Sequence, residues 1–263
     1  MDLRGARTLV TGATGGLGVA IARACVAQGA NVVLTGRREG ALRGLAGELK
    51  AEVVVADLAN REDAARLMES VGDVDVLVSN AALPAGGKVA TFSVDEIDRA
   101  LEVNLRAPIA LSAHFTPGMV ERGCGHVVFV SSLGAAFPTP GLAVYNATKS
   151  ALSSYGLSLR GELARHDVGV SIVYPGPIRD AGMWADTGLE PPMGMRARSP
   201  ADVGNSVVRA IERNRAEVTV APLPLRVGMV FGRSAPAAFA RLAPRLGANA
   251  VTDAMAEALR HKR

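Results

Sequence analysis

Thr8-Leu9-Val10-Thr11-Gly12-Ala13-Thr14-Gly15-Gly16-Leu17-Gly18 is the stretch that decides the fold. A short apolar run enters a glycine-rich turn, and Val19 to Gln28 then reads as a helix stopped by Gly29. Strand, glycine turn and helix in this order are the setting that a dinucleotide phosphate requires. Gly12 permits a tight turn, while Gly16 and Gly18 let the backbone approach a pyrophosphate at the positive end of the helix. Thr11, Thr14, Gly15 and Leu17 complete the candidate cradle. Such a turn alone also fits a bare loop with packing glycines, so the rest of the chain has to decide.

Further along, short apolar runs recur: Asn31-Val32-Val33-Leu34, Val53-Val54-Val55-Ala56, Val74-Asp75-Val76-Leu77-Val78, His126-Val127-Val128-Phe129-Val130 and Val168-Gly169-Val170-Ser171-Ile172-Val173, with Val218-Thr219-Val220 as a seventh. Continuous Val, Ile and Leu are what strands carry when both faces are covered. The segments between them hold helix signals. Ser93-Val94-Asp95-Glu96 is a capping box before a long helix, and Ser199-Pro200-Ala201-Asp202 places a capping serine before a first-turn proline. Repeated strand–helix units imply an α/β fold of Rossmann type, a doubly wound parallel sheet of about seven strands with helices on both faces.

Composition agrees. The chain has 263 residues, 49% of them hydrophobic and only 4% aromatic, which suits one domain over residues 1–263 with close helix-on-sheet packing. A net charge of +4, interspersed along most of the chain, gives no nucleic-acid stripe. Cys25 and Cys124 both sit in apolar surroundings and read as reduced, mostly buried thiols; neither they nor His114, His126, His166 and His261 have metal-like spacing, so no metal is expected. Met1 to Gly5 runs straight into the first strand, and no apolar stretch approaches the ~20 residues of a membrane span. The cytoplasm is the expected location.

The second strand bears on which dinucleotide would bind. It ends Leu34-Thr35-Gly36-Arg37-Arg38, with no acid before Glu39 to take the ribose hydroxyls that NAD presents. Two guanidiniums, each a planar fork of donors, suit the 2′-phosphate of NADP(H) instead. Of the pair, Arg38 is the one expected to cap the surface if only one engages the phosphate. Asp57, with Leu58 beside it, follows the third strand and can accept from an adenine amino group; Asn80-Ala81-Ala82 follows the fourth and leaves room for ribose and phosphates.

In Tyr145-Asn146-Ala147-Thr148-Lys149 a phenol and an ammonium lie at i and i+4, which a helix brings to one face. A free phenol has a pKa of ~10; a nearby ammonium stabilises the phenolate and lowers it. The phenol can then protonate the alkoxide formed when hydride reaches a ketone. Ser132, at the end of the fifth strand, can donate to the same oxygen.

With these motifs in order, the chain resembles the short-chain dehydrogenase/reductase family, in the subgroup built on a single Rossmann domain. The resemblance covers Thr11 to about Gly176 and rests on the glycine turn, Asp57, Asn80-Ala81, Asn104, Ser132, Tyr145, Lys149 and Pro175-Gly176. It implies that Asn104 is a fourth catalytic member, holding a water that links Lys149 to solvent. It also implies that Lys149 holds the nicotinamide ribose and that Pro175-Gly176, with Ile178 just beyond, shapes the wall around the nicotinamide. Subunits would associate through the long helices containing Asn104 and Tyr145, as a homodimer or homotetramer. Three departures stand out, one of them that the C-terminal portion matches nothing in the family residue by residue. Ala82 replaces the usual glycine, and Asp180 stands where many relatives carry threonine. A carboxylate there would repel phosphates unless Arg179 or a helix N-terminus offsets it, or unless Asp180 caps the following helix.

Substrate selectivity is expected in a lid at about 180–200, where Met183, Trp184, Met193 and Met195 lie among glycines and prolines; a hydrophobic subunit contact is the alternative. As a lid it favours a bulky apolar ketone or aldehyde over a sugar. Residues from about 221 to 263 form a basic, apolar extension with Leu223, Leu225, Val227, Met229, Val230, Phe231, Phe239, Leu242 and Leu246 among Arg226, Arg233, Arg241, Arg245 and Arg260-His261-Lys262-Arg263. It suits either a peripheral contact with an anionic membrane or packing against the lid or another subunit. The resulting expectation is an NADPH-dependent carbonyl reductase, reversible as an alcohol dehydrogenase. Its rival is a dinucleotide-binding regulator or membrane-associated scaffold on the same fold.

Overall fold

The apolar runs form one sheet. In the computed structural model, which describes residues 1–136, 139–188, 196–235, 237, 238, 241 and 258, seven parallel strands lie in the order β3-β2-β1-β4-β5-β6-β7. They are β1 (Arg7–Thr11), β2 (Asn31–Gly36), β3 (Glu52–Val55), β4 (Val76–Ser79), β5 (Gly125–Val130), β6 (Val168–Pro175) and β7 (Glu217–Val220). The helices between them are α1 (Gly16–Ala27), α2 (Glu39–Leu49), α3 (Arg61–Val71), α4 (Val94–Leu101), α5 (Ala107–Arg122), α6 (Ala143–Leu163), α7 (Gly182–Asp186), α8 (Pro200–Glu212) and α9 (Leu223–Ser234).

The continuous hydrophobicity of the strands is explained by alternation between two cores. Val10, Val32, Leu34, Val76, Val78, Val128 and Val130 face α1, α2 and α8. Their neighbours Leu9, Val33, Leu77, Val127 and Phe129 face α3, α5 and α6 on the other side. Both expected capping boxes form: Ser93 with Glu96 opens α4, and Ser199 with Asp202 opens α8. The helix after Ser93 is not uniform, however. A π-helical turn at Glu102–Arg106 separates α4 from α5, and Asn104 lies within it.

One expectation about the cysteines is corrected. Cys25 is buried, and burial pushes its thiol up to about 12. Cys124 is exposed, because it follows the left-handed Gly123 that ends α5 and so lies in the turn rather than the core. No helix among the described residues is long and apolar enough to cross a membrane.

The strand order reverses between β1 and β4, and there the C-terminal strand ends part to open a crevice. Close packing holds the helical layer beneath it. A Cβ on Gly204 of α8 would come within 2.5 Å of the Ala20 carbonyl of α1, whereas one on Gly44 of α2 would meet nothing within 4 Å. Gly204→Ala is therefore expected to destabilise the fold by about 1–3 kcal/mol. Gly44→Ala should stabilise it by about 0.5–1 kcal/mol. Urea denaturation of the two variants checks both signs.

Candidate active site

A cleft of about 860 Å³ opens along the C-terminal ends of β1 to β6. Its floor is the glycine turn. Gly12 takes φ +62°, and a Cβ there would lie 2.8 Å from Ala81 Cα, so only glycine lets the turn after β1 meet the end of β4. The two remaining glycines are also required by close packing. A Cβ on Gly18, which also lines the cleft, would sit 2.2 Å from the Gly12 carbonyl, so the turn itself requires glycine there. One on Gly16 would collide with Ala181 Cβ at 2.3 Å, so Gly16 makes room for the segment after β6. Thr11 does not reach the cleft. Its hydroxyl accepts from the backbone N–H groups of Asn80 and Ala81, both at 3.0 Å, and the Asn80 amide donates back to the Thr11 and Gly12 carbonyls at 2.9 and 3.3 Å.

Around this floor stand Thr14, Gly15, Gly16, Leu17, Arg37, Arg38, Asp57, Leu58, Asn80 and Ala81, then Ser132, Tyr145, Lys149, Pro175, Gly176 and Ile178. The two arginines are held differently. Arg38 is tied to the glycine turn, donating to the Thr14 carbonyl at 2.6 Å and to its hydroxyl at 3.2 Å. Arg37 makes only a loose ion pair with Asp57 at 3.8 Å. Asp57 also accepts from the Ala59 N–H, an Asx turn that orients its carboxylate. The N-terminus of α1 has no capping side chain and no acid in its first turn, which leaves its backbone donors to an anion. Glycine turn, open helix end and flanking guanidiniums together fit a nicotinamide dinucleotide.

At the other end of the cleft, Ser132 and Tyr145 are hydrogen-bonded through their side chains. Both Tyr145 and Lys149 are buried on one face of α6. The Lys149 Nζ donates to the Val130 carbonyl at 2.9 Å and lies 5.9 Å from the Tyr145 ring centre. Burial lowers its pKa to about 8. The tyrosine departs from expectation: burial raises the phenol pKa, and the Ser132 hydrogen bond opposes this only in part. Lys149 is turned to a backbone carbonyl, so burial keeps the Tyr145 phenol in its neutral form.

Asn104 is fully buried and lies behind the cleft wall. Its carboxamide accepts from the Leu83 N–H at 2.7 Å and donates to the Leu83 carbonyl at 2.9 Å and to Thr148 Oγ1 at 3.2 Å. It thus joins the loop after β4 to α6. Asp180 is left-handed (φ +65°) and exposed, and its carboxylate pairs with Arg179 at 3.3 Å. Of the three ways to relieve its charge, the pairing with Arg179 is formed and the cap is not, since Ala181 occupies the cap position of α7. Within the expected lid, Met183 and Trp184 line the cleft, whereas Met193 and Met195 lie outside the described residues. Leu83, Pro84, Leu133, Leu142 and Leu225 also line it and were not foreseen. Leu225 comes from α9, which no local motif connects to the site.

This is a dinucleotide-binding α/β crevice with a serine–tyrosine pair and a buried lysine at its far end. The short chain dehydrogenase family model matches residues 6–191. The ketoacyl reductase HetN of Nostoc sp. is 34% identical over 232 residues, covering 85% of this chain and 81% of that protein. Dehydrogenase/reductase SDR family member 7B of Bos taurus is 32% identical, covering 91% of this chain and 81% of its own. Among solved structures, a metagenomic short-chain oxidoreductase in complex with NADP superimposes with a TM-score of 0.71 at 32% identity, over 84% of this chain and 97% of that one. The chain belongs to the short-chain dehydrogenase/reductase family of oxidoreductases.

The lowered Lys149 pKa has a consequence for stability. Below about 8 the buried ammonium is charged in the folded protein and destabilises it; between about 8 and the ordinary 10.5 the unfolded chain binds more protons than the folded one. Lys149 therefore adds stability as pH rises through that window. Thermal melts of the protein and of Lys149→Met from pH 7 to 10.5 are expected to show a relative rise that only the lysine form has.

Proposed function

We propose that this protein is an NADPH-dependent carbonyl reductase, reversible as an alcohol dehydrogenase, acting on a bulky apolar ketone or aldehyde. The observation that carries the reading is the Ser132–Tyr145 hydrogen bond in a cleft shared with Lys149 and the glycine turn. The glycine turn, the start of α1, Arg37 and Arg38 would hold the dinucleotide, with Lys149 and the Pro175-Gly176 wall near its nicotinamide end. When bound, the nicotinamide supplies the hydride in reduction and accepts it in oxidation.

The side chains do the rest. As the carbonyl oxygen gains charge, Tyr145 transfers its hydroxyl proton to it and Ser132 donates a hydrogen bond to the same atom. A phenol kept neutral by burial suits the reductive direction at neutral pH. Lys149, with its pKa brought to about 8, exchanges a proton readily and can help restore the phenol. Asn104 acts on positioning, fixing the Leu83 loop against α6 so that the cleft keeps its width.

Preference for NADPH is supported by the two guanidiniums and by the absence of an acid at the end of β2; the NADP held by the solved relative agrees. The apolar wall of Leu83, Pro84, Leu133, Leu142, Met183, Trp184 and Leu225 supports a bulky apolar substrate, and the ketoacyl reductase among the relatives makes 3-ketoacyl compounds the first class to try. Association through the long helices α5 and α6, in a cytoplasmic enzyme, completes the reading.

Tyr145→Phe is expected to lower turnover by about 10²–10⁴-fold while NADPH affinity, followed by fluorescence, stays within about twofold. A binding regulator would instead show no carbonyl-dependent NADPH oxidation in either form. Replacing Arg37 by Ala should raise the KM for NADPH by about tenfold or more and leave that for NADH nearly unchanged, since a charge-assisted hydrogen bond contributes ~1.5–3 kcal/mol. Parallel steady-state kinetics with the two cofactors check this.

A further inference from the structure

The helix α9 carries two apolar rows; one packs on the protein, and the other lines a shallow groove of about 400 Å³ beside Glu217 and Thr219 of β7 that no described residue fills. Leu225, Met229 and Gly232, at i, i+4 and i+7, face the protein: Leu225 lines the active-site cleft, while Met229 and Gly232 are buried. The orientation is fixed by Arg233, which pairs with Glu217 of the edge strand β7 at 2.8 Å and donates to the Tyr174 hydroxyl at 2.7 Å. Turned by half a revolution, Leu223, Val227 and Val230 share the same spacing and are 68%, 62% and 67% exposed. Other exposed large hydrophobics among the described residues are scattered over β3, α4, α6 and the turn at Val89, apart from Phe231 on α9 itself.

Charge indicates what covers this face. Residues 221–263 hold seven of the chain's 29 Lys and Arg but only two of its 25 Asp and Glu, so the first 220 residues are nearly neutral and the net +4 resides in the C-terminal part. Arg226 projects beside the exposed apolar row with no ion-pair partner among the described residues. An outward apolar row on a short helix, set within a basic segment, complements a negatively charged lipid surface. A second copy of this chain would instead bring like charge against like.

We propose that the Leu223/Val227/Val230 face of α9 docks on an anionic lipid surface, so that the lip of the active-site cleft formed by Leu225 lies at the membrane interface. An apolar carbonyl compound dissolved in lipid would then enter beside the helix; that last clause rests on the reductase reading, whereas the docking itself does not.

The test is cosedimentation of the full chain with vesicles of phosphatidylcholine alone and with about a third phosphatidylserine, at low and high salt. Binding should require the anionic lipid and weaken as salt rises. Val227→Glu/Val230→Glu should bind at least about tenfold more weakly, with an unchanged circular dichroism melt showing that it folds. The wild-type salt response needs no variant and reads no turnover, so it succeeds or fails apart from the reductase reading. Wild-type protein left in the supernatant with anionic vesicles, or a double variant that sediments as well as wild type, overturns the proposal. So does a face that binds no lipid but whose double substitution splits a larger assembly in gel filtration, which would make it a contact with a second copy.

Discussion

Everything functional in this molecule depends on one backbone junction, the lock between the end of β1 and the end of β4. The Thr11 hydroxyl accepts from two successive backbone N–H groups, and the Asn80 amide returns two donors to the turn. Gly12 contributes by lacking a Cβ where Ala81 passes. Strand order reverses at this point, so the lock sets the width of the crevice between the half that would hold a dinucleotide and the half that carries the serine, tyrosine and lysine.

Asn104 extends the same logic one layer outward. By taking both backbone groups of Leu83 and reaching Thr148, it transmits the position of the β4 loop to α6, the helix that presents Tyr145 and Lys149. The π-helical turn around it places a buried carboxamide where a regular helix would direct it elsewhere. The buried ammonium of Lys149, answered by one carbonyl, is a local loss of stability that the surrounding core supports.

Much of this was legible in the sequence, because it rests on local pattern. The apolar runs became the seven strands, the capping serines Ser93 and Ser199 opened their helices, and Ser132, Tyr145 and Lys149 line one cleft. What was not legible depends on contacts between distant segments. The guanidinium of Arg38 binds Thr14, Gly18 packs on the Gly12 carbonyl, and Leu225 lines the cleft from far along the chain. The direction of the Tyr145 shift was missed for the same reason. Spacing places Lys149 near the phenol, but only the fold shows that its ammonium is turned to Val130 and that burial dominates both groups.

The central claim is that the cleft delivers hydride from NADPH to an apolar carbonyl. The most direct measurement is the initial rate of NADPH oxidation, with NADH in parallel, across aliphatic, aromatic, steroid and 3-ketoacyl carbonyls. The account predicts turnover with at least one apolar class and a higher kcat/KM for NADPH than for NADH. Equal or better turnover with NADH would contradict the role given to Arg37 and Arg38, and no oxidation of either cofactor across the whole panel would contradict the reductase itself.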